Sequence, residues 1–591
     1  MKFRLTMIHL QKITICLFIL ACFFAELQAE EVEQGTYTDL TKALQNPLKV
    51  RVLNLSFQKL STLPKEIGEL QNLQTLDLFD NKLTVLPKEI LQLQNLQMLG
   101  LCCNQLTILS EEIGQLQKLR ALDLRANQFA TLPKEILQLQ NLQTLNLDSN
   151  ELTALPKEMR QLQKLQKLDL RENQLTTLPK EIGQLKSLQT LYLRANQFAT
   201  LPKEILQLQN LQALNLDSNE LTALPKEMRQ LQKLQKLDLR ENQLTTLPKE
   251  IGQLKSLQTL YLLANQLTIL PEEIGKLRNL QKLYLCENRF TTLPKDIGQL
   301  QNLQSLYLYG NQLTAFPKEI EQLQNLQILN LSYNRLTTLP EEIGQLQNLQ
   351  ILNLSYNQLT KLPKELGKLR NLKTLDLHAI QITTFPKEIL QLQNLEKLNW
   401  SRTQLTTLPG EIGQMQNLKE LNLEKNQLTA LPKEIGRLQN LEELNLNSNS
   451  NQFSSLPKEI GQLSNLKNLH LDHNMLANLP KEIGQLSRLE TLTLFRNSLE
   501  TLPEEIGQLW NLRELDLSYN PLSSIPKEIG QLKNLRILHL RKTPLARLPD
   551  EIGELQDLEE LILNPDTFEK EEREKLKRLL PKCRIYYINP F

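Results

Sequence analysis

The sequence predicts an α/β repeat solenoid: a horseshoe with a parallel β-sheet on its concave face and short helices or turns on its convex face. Three observations carry this. Leucine makes up nearly a quarter of the 591 residues while aromatic residues reach only 5%. That is too few for several independent globular cores. From Leu53 onward the chain repeats itself every 23 residues. Within each repeat a stretch such as Leu76-Asp77-Leu78 alternates apolar and polar residues at the spacing of a strand.

Each repeat is too small to bury its own leucines, so neighbours must stack into one apolar column. The chain turns away from the strand at an asparagine, leaving backbone groups unpaired inside the turn. A carboxamide that both donates and accepts satisfies them. Asn81, Asn104, Asn127, Asn150 and Asn173 begin this structural ladder. It continues to Asn357, resumes at Asn426, and is read onward through Asn451, Asn474, Asn497 and Asn520. A two-residue insertion is placed before Asn451, near Asn449-Ser450. Gln58, Ile380, Thr403 and Thr543 stand in for the asparagine, giving 22 repeats. A proline such as Pro64 or Pro87 fixes the turn into each return segment, with Ser110 the exception. Glycines such as Gly68, Gly114 and Gly183 follow the isoleucine, where a tight turn is expected.

The repeat, LQTLDLFDNKLTVLPKEILQLQN over residues 73–95, resembles the leucine-rich repeat (LRR) pattern LxxLxLxxNxL followed by LPxEIGxLxxL. The form Leu178-Pro179-Lys180-Glu181-Ile182-Gly183-Gln184-Leu185 is similar both to exported bacterial LRR proteins and to intracellular Ras-group LRR scaffolds. The first resemblance implies binding to host surface proteins, matrix or immune factors. The second implies docking of signalling proteins. The organisation reads as a signal peptide over 1–29, an N-terminal cap over 30–50, the solenoid over 51–563 and a C-terminal cap over 564–591. Thr38 to Gln45 reads as a short capped helix. Asp566 with Glu569 reads as a helix N-cap and capping box, and Cys583 to Tyr587 as a closing strand.

Lys2, Arg4 and Lys12 precede an apolar run, Ile13 to Phe24, followed by Ala25-Glu26-Leu27-Gln28-Ala29 and the acidic pair Glu30-Glu31. This is the layout of a secretory signal, cleaved after Ala29, and it places the protein outside the cell or on its surface. The alternative is lipidation at Cys22 within Ile19-Leu20-Ala21-Cys22. A membrane partner is expected only in that case. The 68 basic residues nearly cancel 66 acidic ones, which argues against nucleic acid as a partner.

No Gly-rich phosphate loop, Ser/His/Asp arrangement or metal-ligand spacing stands out. The expectation is a protein with no enzymatic activity, no metal and no cofactor. Bacterial LRR effectors with ubiquitin-ligase activity carry a separate catalytic domain, for which the chain leaves no room, and Cys583 reads as a small hydrophobe in a cap. Residues 125–193 and 194–262 are the same block, differing only at Thr144 and Ala213. Length is therefore tolerated.

What varies between repeats is more informative. The residue between the two strand leucines points to the concave face, and this column becomes aromatic at Tyr261, Tyr284 and Tyr307. Leu263 and Tyr309 lie in the next column, and Tyr333 and Tyr356 beside it. Tyrosine supplies large contact area at low entropic cost, so this is the candidate site for a protein ligand, extracellular or from a host. The competing reading is that the rings only stabilise the sheet. Glycans are a further ligand class, because open aromatic faces stack on sugars. A lipid-anchored envelope protein that self-associates is the alternative function. Between Leu375 and Gly410, Ile380 and Thr403 interrupt the asparagines and Trp400 takes a core leucine position. This segment reads as a local change of curvature or as a hinge.

Overall fold

The structure is a computed structural model that describes residues 35–449 and 453–588. Residues 1–29, with Cys22 and Ala29, and Asn451 lie outside those residues. The chain divides between Asn196 and Gln197 into two compact units. In the first, strands run from Thr36–Tyr37 to Thr190–Tyr192; in the second, from Ala213–Asn215 to Arg584–Tyr587. Within each unit every paired strand is parallel and in register with the strand 23 residues away, apart from the two ends and the insertion. The expected α/β solenoid is what each unit shows.

Three-residue strands such as Thr75–Asp77 form one side. Five-residue 3₁₀ turns such as Lys65–Glu69 form the other. Proline creates the turn: Pro64 sits at φ −70°, and its carbonyl accepts from the Ile67 N–H at 3.2 Å. Between the two sides, Leu73, Leu76, Leu78, Leu83, Ile90 and Leu93 are at most 1% exposed. At about 1.5–3 kcal/mol for each such side chain, this column supplies the main stabilisation of a repeat.

The asparagine ladder works by linking each repeat to the one before. Asn334 Nδ2 donates to Leu308 O of the preceding repeat and to Leu331 O of its own, both at 3.0 Å. Its Oδ1 accepts from the Leu313 N–H at 3.0 Å. Asn81, Asn104, Asn127, Asn150 and Asn173 do the same in the first unit. A second asparagine column, not anticipated from the sequence, does similar work on the exposed turn side. Asn95 Nδ2 donates to Gln71 O at 2.9 Å, and Asn302 Nδ2 to Arg278 O at 2.9 Å.

The structure corrects the placement of Asn451 in the ladder. Asn449 holds that position, donating to Leu446 O at 2.7 Å and accepting from the Leu428 N–H at 3.3 Å. The two extra residues therefore follow the ladder asparagine, in the segment leading to Phe453. At Thr403 the ladder survives in modified form, since its hydroxyl donates to Asn426 Oδ1 at 2.9 Å.

The turn glycines have a different cause from the one expected. None of them has positive φ. What excludes a side chain is the next repeat: a Cβ on Gly275 would lie 2.4 Å from Asp296 O, and one on Gly252 2.3 Å from Glu273 O. Leu91, Leu137, Leu206 and Leu390 replace this glycine in four repeats, and each is at most 8% exposed. There the following turn stands further off, because the leucine fills the gap as a wedge.

At the N-terminal end, helix α1 (Leu40–Leu44) is capped as expected by Asp39, whose side chain accepts from the Lys42 N–H at 3.0 Å. An unanticipated strand, Thr36–Tyr37, pairs with Val52–Leu53. At the other end, helix α2 (Lys570–Leu579) starts after Glu569 rather than after Asp566, and no side chain caps it. Strand Arg584–Tyr587 then pairs with Glu560–Leu563.

Candidate ligand-binding face

Strand register brings three of the seven candidate residues into one stack. Tyr261, Tyr284 and Tyr307 are direct partners across neighbouring strands. Their ring centroids lie 4.5 and 4.7 Å apart, with interplanar angles of 13° and 4°. This matches the strand spacing, so the rings stand upright like a row of plates. One end is closed. Arg240 lies over Tyr261 at 5.2 Å, and Lys236 Nζ at 5.4 Å. Arg240 is itself held by Asp238, through Nε to Oδ1 at 2.8 Å and Nη2 to Oδ2 at 2.7 Å. The fork fixes the guanidinium plane against the ring. The duplicated block repeats this arrangement in the first unit, where Arg171 pairs with Asp169 and lies 5.3 Å over Tyr192.

Stacking consumes the inner ring faces. The ladder therefore offers ring edges and hydroxyls to a ligand. Burial raises the phenols of Tyr261, Tyr284 and Tyr307 above their usual value, so each keeps its proton and remains a donor. Leu263 is half-buried beside this row, and Tyr309 lies against Cys286 and Glu287 of the preceding repeat.

Tyr333 and Tyr356 form a second, separate stack at 4.1 Å and 17°. Both occupy the residue before the ladder asparagine, where the backbone turns left-handed (φ 52° and 51°). Most repeats place a non-glycine residue there, and Gly310 is the glycine of this column (φ 70°). Tyr333 is 55% exposed. No ring contact joins Tyr307 to Tyr333 among the described residues, so the aromatic patch is two stacks in two columns.

The second stack runs into residues that sequence reasoning missed, His378 and Ser401. Ser401 Oγ donates to Asn399 Oδ1 at 2.6 Å. With that proton committed, Ser401 Oγ accepts from His378 Nδ1 at 2.5 Å, and His378 Nε2 accepts from the Tyr356 hydroxyl at 3.0 Å. Burial lowers the His378 pKa, which suits this neutral tautomer. The signal was available: His378 and Ser401 occupy the Leu263 and Tyr309 column, two residues before the ladder position.

Beyond the tyrosines the outward column turns to carboxamides. Asn330, Asn353, Asn399, Asn422 and Asn445 each accept, through Oδ1, a backbone N–H two residues on, at 2.9 to 3.2 Å. That fixes the carboxamide plane and turns each Nδ2 away from the backbone.

The other chemistry-bearing groups are occupied. Cys102, Cys103, the buried Cys286 and the half-buried Cys583 are not disulfide-bonded, and the sulfurs of Cys102 and Cys103 lie 3.1 Å apart. Burial pushes Cys583 up to about 11, far from the thiolate a nucleophile needs. Among the described residues no group of three His, Cys, Asp or Glu side chains could hold a metal ion. No helix among them is long and apolar enough to cross a membrane.

His539 instead bridges two carboxylates, Asp516 at 3.5 Å and Glu560 at 3.3 Å. Its hydrogen bond to Asp516 raises its pKa, while burial opposes the shift. Against its own desolvation, the same bond lowers Asp516. The histidine's contribution is thus complete below about pH 6.5 and fades as pH rises through its folded pKa. The aspartate's is complete above about pH 4 and fades as pH falls through its folded value. The difference in melting temperature between wild type and His539→Gln should peak between about pH 4 and 6.5 and shrink as pH rises further through the raised histidine pKa. A flat difference across that range would contradict the bridge.

Sequence comparison places this geometry. The family described as leucine-rich repeat region matches residues 100–174, 165–243, 234–312, 342–427, 364–478, 411–518 and 504–580. The chain belongs to the leucine-rich repeat family. Further family matches cover residues 72–93 and 301–346 of this leucine-rich repeat protein. Among solved structures, it is similar to a plant peptide hormone receptor, RGFR1, in complex with RGF2. That likeness has 31% identity, covers 95% of this chain and 97% of the receptor chain, and has a TM-score of 0.63. The ectodomain of the Arabidopsis receptor kinase HAESA, in complex with an extended IDA peptide hormone ligand, is 28% identical. It covers 84% and 87% of the two chains, with a TM-score of 0.57. A Leptospira interrogans LRR protein, LIC12759, is 38% identical over 94% of this chain and 100% of its own, with a TM-score of 0.41. Comparison with curated proteins finds no match.

Proposed function

We propose that this leucine-rich repeat protein is an exported, non-enzymatic binding protein whose outward strand columns hold an extended polypeptide, from an extracellular or host source. The observation that carries the reading is the Tyr261–Tyr284–Tyr307 stack. Its inner faces are closed, so a sugar has little open ring to lie on, whereas a polypeptide can use the phenol hydroxyls and ring edges. The fixed carboxamides of Asn330 and Asn353 continue the row with donors suited to backbone carbonyls. Tyr309, Leu263 and the Tyr333–Tyr356 stack supply the flanking contact area. Two similar receptors bind peptide hormones, which supports a peptide as the ligand class. Export rests on the sequence of residues 1–29.

A screen of secreted proteins and peptides against wild type and Tyr261→Ala/Tyr284→Ala/Tyr307→Ala tests this. The expected result is a ligand whose affinity falls at least roughly thirtyfold in the triple variant while its circular dichroism is retained. A folded triple variant that binds every hit as tightly as wild type would remove the stack from the site.

A further inference from the structure

A second aromatic group lies far along the second unit, off the outward strand column and on the turn that leaves the strands. Phe495 and Tyr519 approach to 4.9 Å at 58°, and His473 lies 5.1 Å from Phe495 at 59°. Arg496 spans both rings, 5.6 Å over Phe495 and 5.1 Å over Tyr519, and Arg541 lies 5.9 Å over Tyr519. Backbone bonds set this spacing: the His473 N–H donates to Phe495 O and the Tyr519 N–H to Arg541 O, both at 2.7 Å. Met475, 48% exposed, and the exposed Pro521 add apolar surface in neighbouring turns.

The electrostatics of the patch are one-sided. Asp472 is turned inward, its Oδ1 accepting from the Phe495 N–H at 2.8 Å. Asp516 is engaged by His539. Among the described residues, no carboxylate lies within ion-pairing distance of Arg496 or Lys542. Some exposed cations elsewhere on this protein, such as Lys397, Lys419 and Lys467, are answered by Glu420, Glu396 and Glu442. A guanidinium stacked on a ring keeps its N–H edge open, which is the geometry that receives a carboxylate.

We infer that the His473–Phe495–Tyr519 patch, with Arg496 and Lys542, is a second binding surface, for an acidic polypeptide segment that also carries apolar side chains. Charge complementarity sets the acidic character, and Met475, Phe495 and Tyr519 set the apolar part. A nucleic acid fits less well, because the cations are few and the chain's net charge is only +2.

The test is fluorescence anisotropy on the full chain with a labelled peptide of alternating Glu and Phe, its Gln–Phe and Lys–Phe counterparts, and a labelled DNA oligonucleotide. The Glu–Phe peptide should bind, with affinity that weakens as salt rises. It should weaken roughly tenfold in Arg496→Ala/Lys542→Ala and less in Arg496→Lys, which keeps charge but loses the planar stack. Tyr284→Ala should leave this binding unchanged, so failure here and failure of the tyrosine-stack reading are separable. Absence of binding, equal binding of the Gln–Phe or Lys–Phe peptide, tighter binding of DNA, or an unaffected double variant would each overturn the proposal.

Discussion

Replacing Asn334 with alanine should cost about 2 kcal/mol, from a side chain that touches no ligand. The substitution strands the Leu313 N–H, deep in a turn that water does not reach, and takes one of two asparagine donors from Leu308 O and from Leu331 O, which keep Asn311 and Asn357. Each buried group left unpaired costs about 1–3 kcal/mol, partly relieved by local adjustment. Because a stack of repeats loses stability by neighbours, the loss should register as faster hydrogen exchange at the Leu313 amide as well as a lower urea midpoint. The chain contains the reverse experiment. Ile380 occupies the same position with no acceptor to offer, so Ile380→Asn should stabilise by about 1 kcal/mol. If Asn334→Ala were neutral in both measurements, the ladder would be incidental to the stack.

Trp400→Ala should be the most damaging single substitution in the Leu375–Gly410 segment, at about 3–5 kcal/mol. The indole is fully buried, 5.1 Å from the Phe385 ring, in a place where neighbouring repeats use leucine. Its Nε1 has no hydrogen-bond partner, so part of its packing gain is already offset. Trp400→Leu should therefore cost less than half as much, since it restores the repeat's usual side chain and removes a buried donor. Urea denaturation of the two variants measures the contrast. Equal losses would mean that the surroundings are built around the indole and that the leucine position is no longer interchangeable.

The elements legible in the sequence are those in which one residue type is required by local chemistry. The asparagine column, the turn prolines and the strand alternation each repeat because the same unpaired groups and the same apolar stripe recur. The ladder position near the insertion is ambiguous in the sequence because asparagine recurs at 447, 449 and 451, and only the hydrogen bonds of Asn449 single it out. The helix Lys570–Leu579 begins later than the sequence suggests, because Asp566 has the residue type of a cap without its geometry. Facts that depend on distances between repeats were out of reach. The sequence shows that glycine recurs in the outer turn, but the cause is a carbonyl 21 residues away, such as Asp296 O facing Gly275. The sequence lines up Tyr261, Tyr284 and Tyr307, yet it cannot show that their faces are spent on each other. His378, Ser401, Phe495 and Tyr519 lie in adjacent columns whose side chains meet only once the turn bends them together.

The leucines that replace the turn glycine give the repeats two kinds of seam, tight and loose. Leu137 and Leu206 occupy equivalent places in the duplicated 69-residue block, so copying the block copied its loose seam too. Growth by this cassette is not a neutral lengthening. Each added copy brings a point of mechanical compliance with it, and under tension those seams, rather than the glycine ones, are where the outer turns would first part.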